Sequence, residues 1–199
     1  MAPLNEQQLH QIRDERKEQI MAAALKVFAR RGIIGTKMSM IAAEAGISHG
    51  LLYHYFQSKD ELFTTLVRYA VTEAFTEMNG LAQLPGSPIQ KIRALTEAML
   101  NEEGQPYFML MHQARTSDGV PDEAKVLIEQ FSMSRSVEAL LPVFVEGQQA
   151  GEIAAGDPEE LISTYLSVVS GLMVVLTTQA DVGYRMPGVD VLLRLVAAR

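Results

Sequence analysis

The sequence predicts an all-α chain of about nine helices. Three observations carry this. Apolar residues recur at spacings of three and four through most of the 199 positions, the mark of a helix with one buried face. Helix-start patterns occur three times: Ser58-Lys59-Asp60-Glu61, Ser87-Pro88-Ile89-Gln90 and Asp157-Pro158-Glu159-Glu160 each set a capping oxygen three residues before an acid or amide. No run alternates apolar and polar residues as a half-buried strand does, and no internal repeat is visible.

The elements follow in order. Residues 1–11 read as a polar, frayed lead-in. From Arg13 to Arg31, Ile20, Ala24, Val27 and Phe28 form an apolar stripe, and Gly32 is placed to stop the helix. Its other face carries Arg13, Arg16, Lys17, Lys26, Arg30 and Arg31. A short helix is expected from Thr36, the N-cap, to Gly46. A third runs from Ser48 to about Tyr55, and Phe56-Gln57 breaks it. The Ser58 capping box opens a fourth to about Met78, with Leu62, Leu66, Tyr69, Ala70 and Phe75 available for burial.

Gly80–Gly86 reads as a linker. Ser87-Pro88 opens a helix to about Leu100, and Pro106 the next, to about Thr116. After the turn Ser117-Asp118-Gly119, Pro121 starts a long helix towards Ala150, with a kink or break expected at Pro142. Asp157 caps a helix to about Gln179, and a last one covers roughly Val189–Ala198.

Composition narrows the function classes. Hydrophobic residues make up 48% and charged residues 21%, so a sizeable core is expected and disorder is not. No cysteine is present, which excludes disulfides, thiolate metal sites and cysteine nucleophiles. The net charge of −7 argues on its face against nucleic acid as a partner. It is unevenly spread, however. Residues 1–63 sum to +1 and residues 64–199 to −8.

The N-terminus has no basic segment followed by an apolar run, so no signal peptide is read there. The most apolar stretch, Leu161–Leu176, contains Ser163, Thr164, Ser167, Ser170 and Gly171. It reads as a buried helix rather than a membrane span. The expectation is a cytoplasmic protein with no membrane partner.

The short pair of helices carries the main chemistry. Ala42, Gly46 and Leu52 have the spacing of a helix-turn-helix unit, although an ordinary helical hairpin also satisfies it. Ala42 allows a close crossing, and Gly46 allows a tight turn. Ile41, Ala45, Ile47 and Leu52 would bury between the helices. The outer face of the second helix would carry Ser48, His49, Gly50, Tyr53, His54 and Tyr55. Small residues at its start suit approach to base edges, and hydroxyls and imidazoles further along suit phosphates.

The run from Thr36 to Leu62, TKMSMIAAEAGISHGLLYHYFQSKDEL, with Phe28-Ala29-Arg30-Arg31-Gly32 before it, resembles the N-terminal region of TetR-family transcriptional regulators. The likeness covers about residues 16–63. Glu146–Gly151 and Asp157-Pro158 are similar to later helices of the family. The resemblance implies a three-helix DNA-binding head, residues 1–57, on a ligand-binding and dimerisation body, residues 58–199. It implies a homodimer on a near-palindromic operator, usually repressing, whose heads are re-spaced by a small molecule. Carried over residue by residue, Thr36 and Ser39 fall where the family touches phosphate, and Ser48, His49, Gly50, Tyr53 and His54 fall on the recognition helix. Tyr53 and Lys59 fall on phosphate contacts, and His49 on a base-reading position. Tyr55 is expected to be largely structural.

For the body, methionines and aromatics suit an adaptable apolar site, although ordinary core is the simpler account of any one of them. The candidate ligand residues are Met99, Phe108, Met109, His112, Phe131, Tyr165 and Met173. His112 and Arg115 share a helix face and offer a polar anchor. The expected effector is mainly apolar with at most one polar or anionic end. The candidate dimer face is Leu161, Ser167, Ser170, Gly171, Val174, Leu192 and Leu195, on two helices too apolar for a monomer's surface. No phosphate loop, nucleophile elbow or zinc-helix motif is present, so neither catalytic residues, a metal nor a cofactor is expected. A regulator controlled by a protein partner, a ligand-independent regulator, an activator and an uncharacterised helical enzyme are the other readings.

Overall fold

The computed structural model describes residues 6–178 and 186–198; Gln179, placed at a helix end by the sequence, lies outside them. Among the described residues there are ten α-helices: α1 (Glu6–Gly35), α2 (Met38–Glu44), α3 (His49–Tyr55), α4 (Lys59–Gly80), α5 (Pro88–Leu100), α6 (Gly104–Thr116), α7 (Asp122–Gln130), α8 (Met133–Gln149), α9 (Pro158–Thr178) and α10 (Val189–Leu193). The all-α expectation holds. The lead-in is helical from Glu6 rather than frayed, and the linker after α4 contains a 3-10 turn, Leu81–Gln83, whose Leu81 is buried.

The extra helix comes from a misplaced break. The chain divides at Phe131-Ser132, where Ser132 caps α8 by accepting from the Arg135 N–H at 3.3 Å. Helix α8 runs through Pro142. Pro142 and Glu138 are both exposed, so the Glu138 carbonyl that loses its intrahelical donor faces water. Likewise α6 begins at Gly104, not Pro106, because Asn101 Oδ1 accepts from the Gly104 N–H at 2.7 Å.

The chain separates into two compact units, Met1–Tyr69 with Leu110–Leu127 and Ala70–Met109 with Ile128–Arg199. The first holds the α1–α3 arrangement. Ile20, Ala24, Val27 and Phe28 of α1, Ile41 and Ala42 of α2, Leu52 of α3, Phe56, and Leu62, Phe63 and Leu66 of α4 are all buried. Phe28 and Phe63 meet edge to face, ring centroids 5.1 Å apart. Of the other expected core positions, Tyr69 is exposed and Ile47 half-buried.

The end of α1 is held by side chains. Gly32 leaves the helix at φ 67°, ψ 173°, as the sequence anticipated. That leaves carbonyls without intrahelical donors. Three are satisfied from three places. Gln113 Nε2 donates to the Ala29 carbonyl at 3.1 Å, Thr36 Oγ1 to Gly32 at 2.6 Å and Lys59 Nζ to Ile33 at 2.7 Å. Thr36 is therefore not the N-cap of α2. Lys37 takes that place without a side-chain cap.

In the second unit, α5, α8, α9 and α10 enclose their own core. Ser136, Val137, Leu140, Val143, Phe144 and Gly147 make a continuous buried stripe on α8. The C-terminal segment is tied down by an antiparallel bridge between Ile153 and Ala197 and by Arg93, which reaches Asp190 at 2.5 Å. Tyr165 is fully enclosed. Thr96 Oγ1 donates to the Ile92 carbonyl at 2.7 Å, so the phenol, 2.8 Å away, donates to Thr96.

Burial pushes the Tyr165 pKa up to about 12. In the unfolded chain the phenol ionises near about 10. The neutral form is thus preferred by the folded state, and its contribution is complete below the unfolded value. It is expected to fade as pH rises from that value towards the folded one. Denaturant titrations across that window should show falling stability, and Tyr165→Phe should flatten the fall. An unchanged slope in the variant would remove Tyr165 as its cause.

Candidate nucleic-acid interface

Helix α2 ends in a Schellman arrangement. The Gly46 N–H donates to Ala43 O at 3.1 Å and the Ile47 N–H to Ala42 O at 3.0 Å. Gly46 sits at φ 65°, a conformation that only glycine takes without strain. Gln19 Nε2 of α1 donates to the Ala45 carbonyl at 2.7 Å and pins the turn. Ser48 then caps α3, its Oγ accepting from the Leu51 N–H at 3.2 Å. Lys59 and the Ser58 cap start α4. The Glu61 N–H donates to Ser58 Oγ at 3.0 Å, and the Glu61 carboxylate reaches back to the Gln57 N–H at 2.7 Å. Two short helices with a fixed turn between them are thereby placed on α1.

With about 100° between successive residues, α3 presents three lines away from its buried residue, Leu52. His49 and Tyr53 form one flank, Gly50 and His54 the outermost line, and Leu51 and Tyr55 the other flank. His49, Gly50, Tyr53 and His54 are exposed and Tyr55 is half-buried. His49 and Tyr53 pair edge to face with centroids 4.8 Å apart, and His54 and Tyr55 do so at 5.7 Å. Ser39 and Ser48 are exposed too.

Two of the sequence-derived contacts are differently employed. Thr36 is only 2% exposed and its hydroxyl is given to Gly32, so its side chain is not on the surface as expected. Lys59 is half-buried, with one of its three ammonium hydrogens used on the Ile33 carbonyl. Sequence reasoning missed Leu51. It is 37% exposed on the same helix, and the signal was its position one step from the buried Leu52.

Gly50 has no reason inside the chain to be glycine. Its φ is not left-handed, and a Cβ there would meet nothing within 4 Å. Glycine within a helix costs roughly 1 kcal/mol relative to alanine. Gly50→Ala is therefore expected to raise the thermal midpoint slightly while weakening binding to whatever α3 approaches. Melting curves and binding isotherms on the same variant check both signs. A variant that binds as well as the parent would contradict the close approach.

The body candidates divide. His112 lies in the first unit and is half-buried; Met99, Phe108, Met109, Phe131, Tyr165 and Met173 lie in the second. Phe131 is buried and meets Phe75 edge to face at 4.9 Å, while Arg135 stands 6.0 Å from the Phe75 ring. Met173 is buried, and Tyr165 has its hydroxyl satisfied internally.

On α9, Thr164, Ser167, Val168 and Gly171 form one exposed face, with Leu161, Ser170 and Val174 half-buried. The helix does not have the burial the sequence suggested. Its segment Pro158–Leu176 is long and apolar enough to cross a membrane, and 28% of it is buried inside the chain. On α10 the candidate Leu192 is corrected. It is buried with Leu193 and Val196, while Val191 and Leu195 are exposed. The side of this short helix that packs on α5 takes Leu192 into the core.

A capped pair of short helices around a fixed glycine turn, with a polar exposed second helix, defines a helix-turn-helix protein. Residues 20–66 match the profile of bacterial regulatory proteins of the tetR family. In this head the chain is similar to TetR-family regulators. It is 30% identical over 80 residues to the HTH-type transcriptional regulator BetI of Brucella canis, a match covering 40% of each chain. The uncharacterized HTH-type regulator YerO of Bacillus subtilis is 31% identical over 80 residues, 40% of this chain and 28% of its own. The likeness to these curated relatives thus spans less than half of their length.

Solved structures share the fold over nearly the whole chain. A Saccharomonospora viridis protein in complex with choline superposes with a TM-score of 0.71, at 21% identity, covering 94% of this chain and 100% of that one. The ketosteroid transcriptional regulator KstR2 of Mycobacterium tuberculosis gives 0.67 at 18% identity, covering 92% and 96%. A TetR-family regulator from Agrobacterium tumefaciens gives 0.68 at 21%, covering 84% and 90%.

Proposed function

We propose that this chain is a DNA-binding transcriptional regulator, a homodimeric repressor released from a near-palindromic operator by a small, mainly apolar ligand. The observation that carries the reading is α3, a recognition-type helix with His49, Gly50, Tyr53 and His54 exposed in register. Residues 1–57 serve as the DNA-binding part and 58–199 as the ligand-binding and dimerisation part. Ser39, Ser48, Tyr53 and the remaining hydrogens of Lys59 are placed for phosphates, and His49 and Gly50 for base edges. Such a protein works in the cytoplasm and needs no catalytic group.

The charge split supports docking through the first part. A near-neutral segment of +1 can lie on phosphates, while the −8 remainder is repelled from them. The exposed faces Thr164–Ser167–Val168–Gly171 and Val191–Leu195 support a second copy as partner, because small residues there permit close helix approach. A four-helix interface, two helices from each chain, closes both faces.

The effector reading is tested by release. Purified protein is bound to its selected duplex and titrated with single small molecules. Choline, held by one structural neighbour, is a first compound to try, beside longer apolar acids and alcohols. Release by one mainly apolar class supports the proposal. Release only by polycations would contradict it.

A further inference from the structure

We infer that Leu51 is a specificity-determining residue, reading the 5-methyl group of a thymine in each half of the operator. The inference rests on the DNA-binding reading above and goes beyond it by naming the base.

Leu51 is 37% exposed although it belongs to a seven-residue helix whose inward position is already filled by Leu52, fully buried. It stands on the flank opposite His49 and Tyr53. Those two rings pair with each other at 4.8 Å, which draws the imidazole along its own flank. The line between the flanks is Gly50 and His54, and Gly50 adds no side chain to hold the helix off a groove. The helix can therefore come close on the side that Leu51 borders.

Chemistry then limits what Leu51 can meet. It has no donor or acceptor, so against a phosphate or a polar base edge it would strip water and return no hydrogen bond. Four kinds of base edge line the major groove, and only thymine shows an apolar group there, its 5-methyl. A leucine on the approaching face fits that group and is mismatched to the cytosine amino group, the adenine amino group and the guanine carbonyl.

The first arm of the test changes the DNA alone, so protein folding does not enter it, and the second uses variants at the exposed Leu51. In the duplex selected by the wild-type protein, each thymine is replaced in turn by deoxyuridine, symmetrically in both halves, which removes one methyl per half and leaves base pairing intact. Burial of one such group is worth about 0.8 kcal/mol, or about fourfold in affinity for each half-site. One symmetric position is expected to cost the wild type about tenfold or more. Leu51→Ala should bind the thymine and deoxyuridine duplexes equally at that position, and Leu51→Asn should reselect adenine there.

An equal loss in wild type and Leu51→Ala would assign the methyl to another residue and overturn the inference. So would a scan with no sensitive thymine. A protein that selects no duplex at all would overturn the DNA-binding reading, and this inference with it.

Discussion

A chain carrying Val168→Glu with Gly171→Glu is expected to sediment as a monomer and to bind its duplex at least about a hundredfold more weakly than the parent. Linked half-sites gain about 10²–10⁴ in avidity over single ones, and that gain is what the monomer forfeits. The fold has room for both changes. Val168 and Gly171 are exposed, and a Cβ at Gly171 would meet nothing within 4 Å. Glutamate also favours helix more than glycine does. In a two-fold interface each new carboxylate is brought near its own copies, in a setting drained of water. Sedimentation reads the assembly, circular dichroism reads the retained helices, and a binding isotherm reads the operator. A variant that stays dimeric would place the interface elsewhere.

Phe28→Ala is expected to have the largest effect on stability, about 3–5 kcal/mol. Phe28 is fully buried and packs edge to face on Phe63 at 5.1 Å. Its loss removes the ring contact with Phe63 and leaves a void in the core. The expected result is a lowered denaturation midpoint, with operator binding lost at temperatures where the parent still binds. A loss below about 1 kcal/mol would mean that the site collapses around the smaller side chain.

What the sequence revealed and what it hid follow a physical line. Caps formed between residues two to four apart were legible. Ser48 holds the Leu51 N–H, Gln90 reaches back to the Ser87 N–H and Asp157 holds the Glu159 N–H. The turn at Gly46 was legible as well, because a positive φ has few candidates. Distant partners were not. Lys59 looked like a surface cation until the Ile33 carbonyl, twenty-six positions away, took one of its hydrogens. Thr36 looked like a cap, but the backbone turn at Gly32 brings a carbonyl to 2.6 Å from its hydroxyl.

Proline misled for a related reason. Pro142 was expected to kink or break a helix, and no break occurs; its cost depends on whether water reaches the freed carbonyl, and sequence does not show which face is outward. On α10 the same ignorance put Leu192 on the surface. Only the packing on α5 decides that Leu192 goes in and Val191 and Leu195 stay out. The exposed residues of α3 were read nearly whole from residue types, and Leu51 was overlooked because an apolar residue beside a buried one passes for core.

The claim at the centre is that α3 docks this chain on DNA at a sequence of its own. The most direct measurement is selection from random duplexes with purified protein, followed by affinity of the selected site across a salt series. The expected result is a two-fold symmetric site, with log K falling linearly and steeply against log salt as phosphate counterions are released. Enrichment of no sequence, or an affinity indifferent to salt, would contradict it.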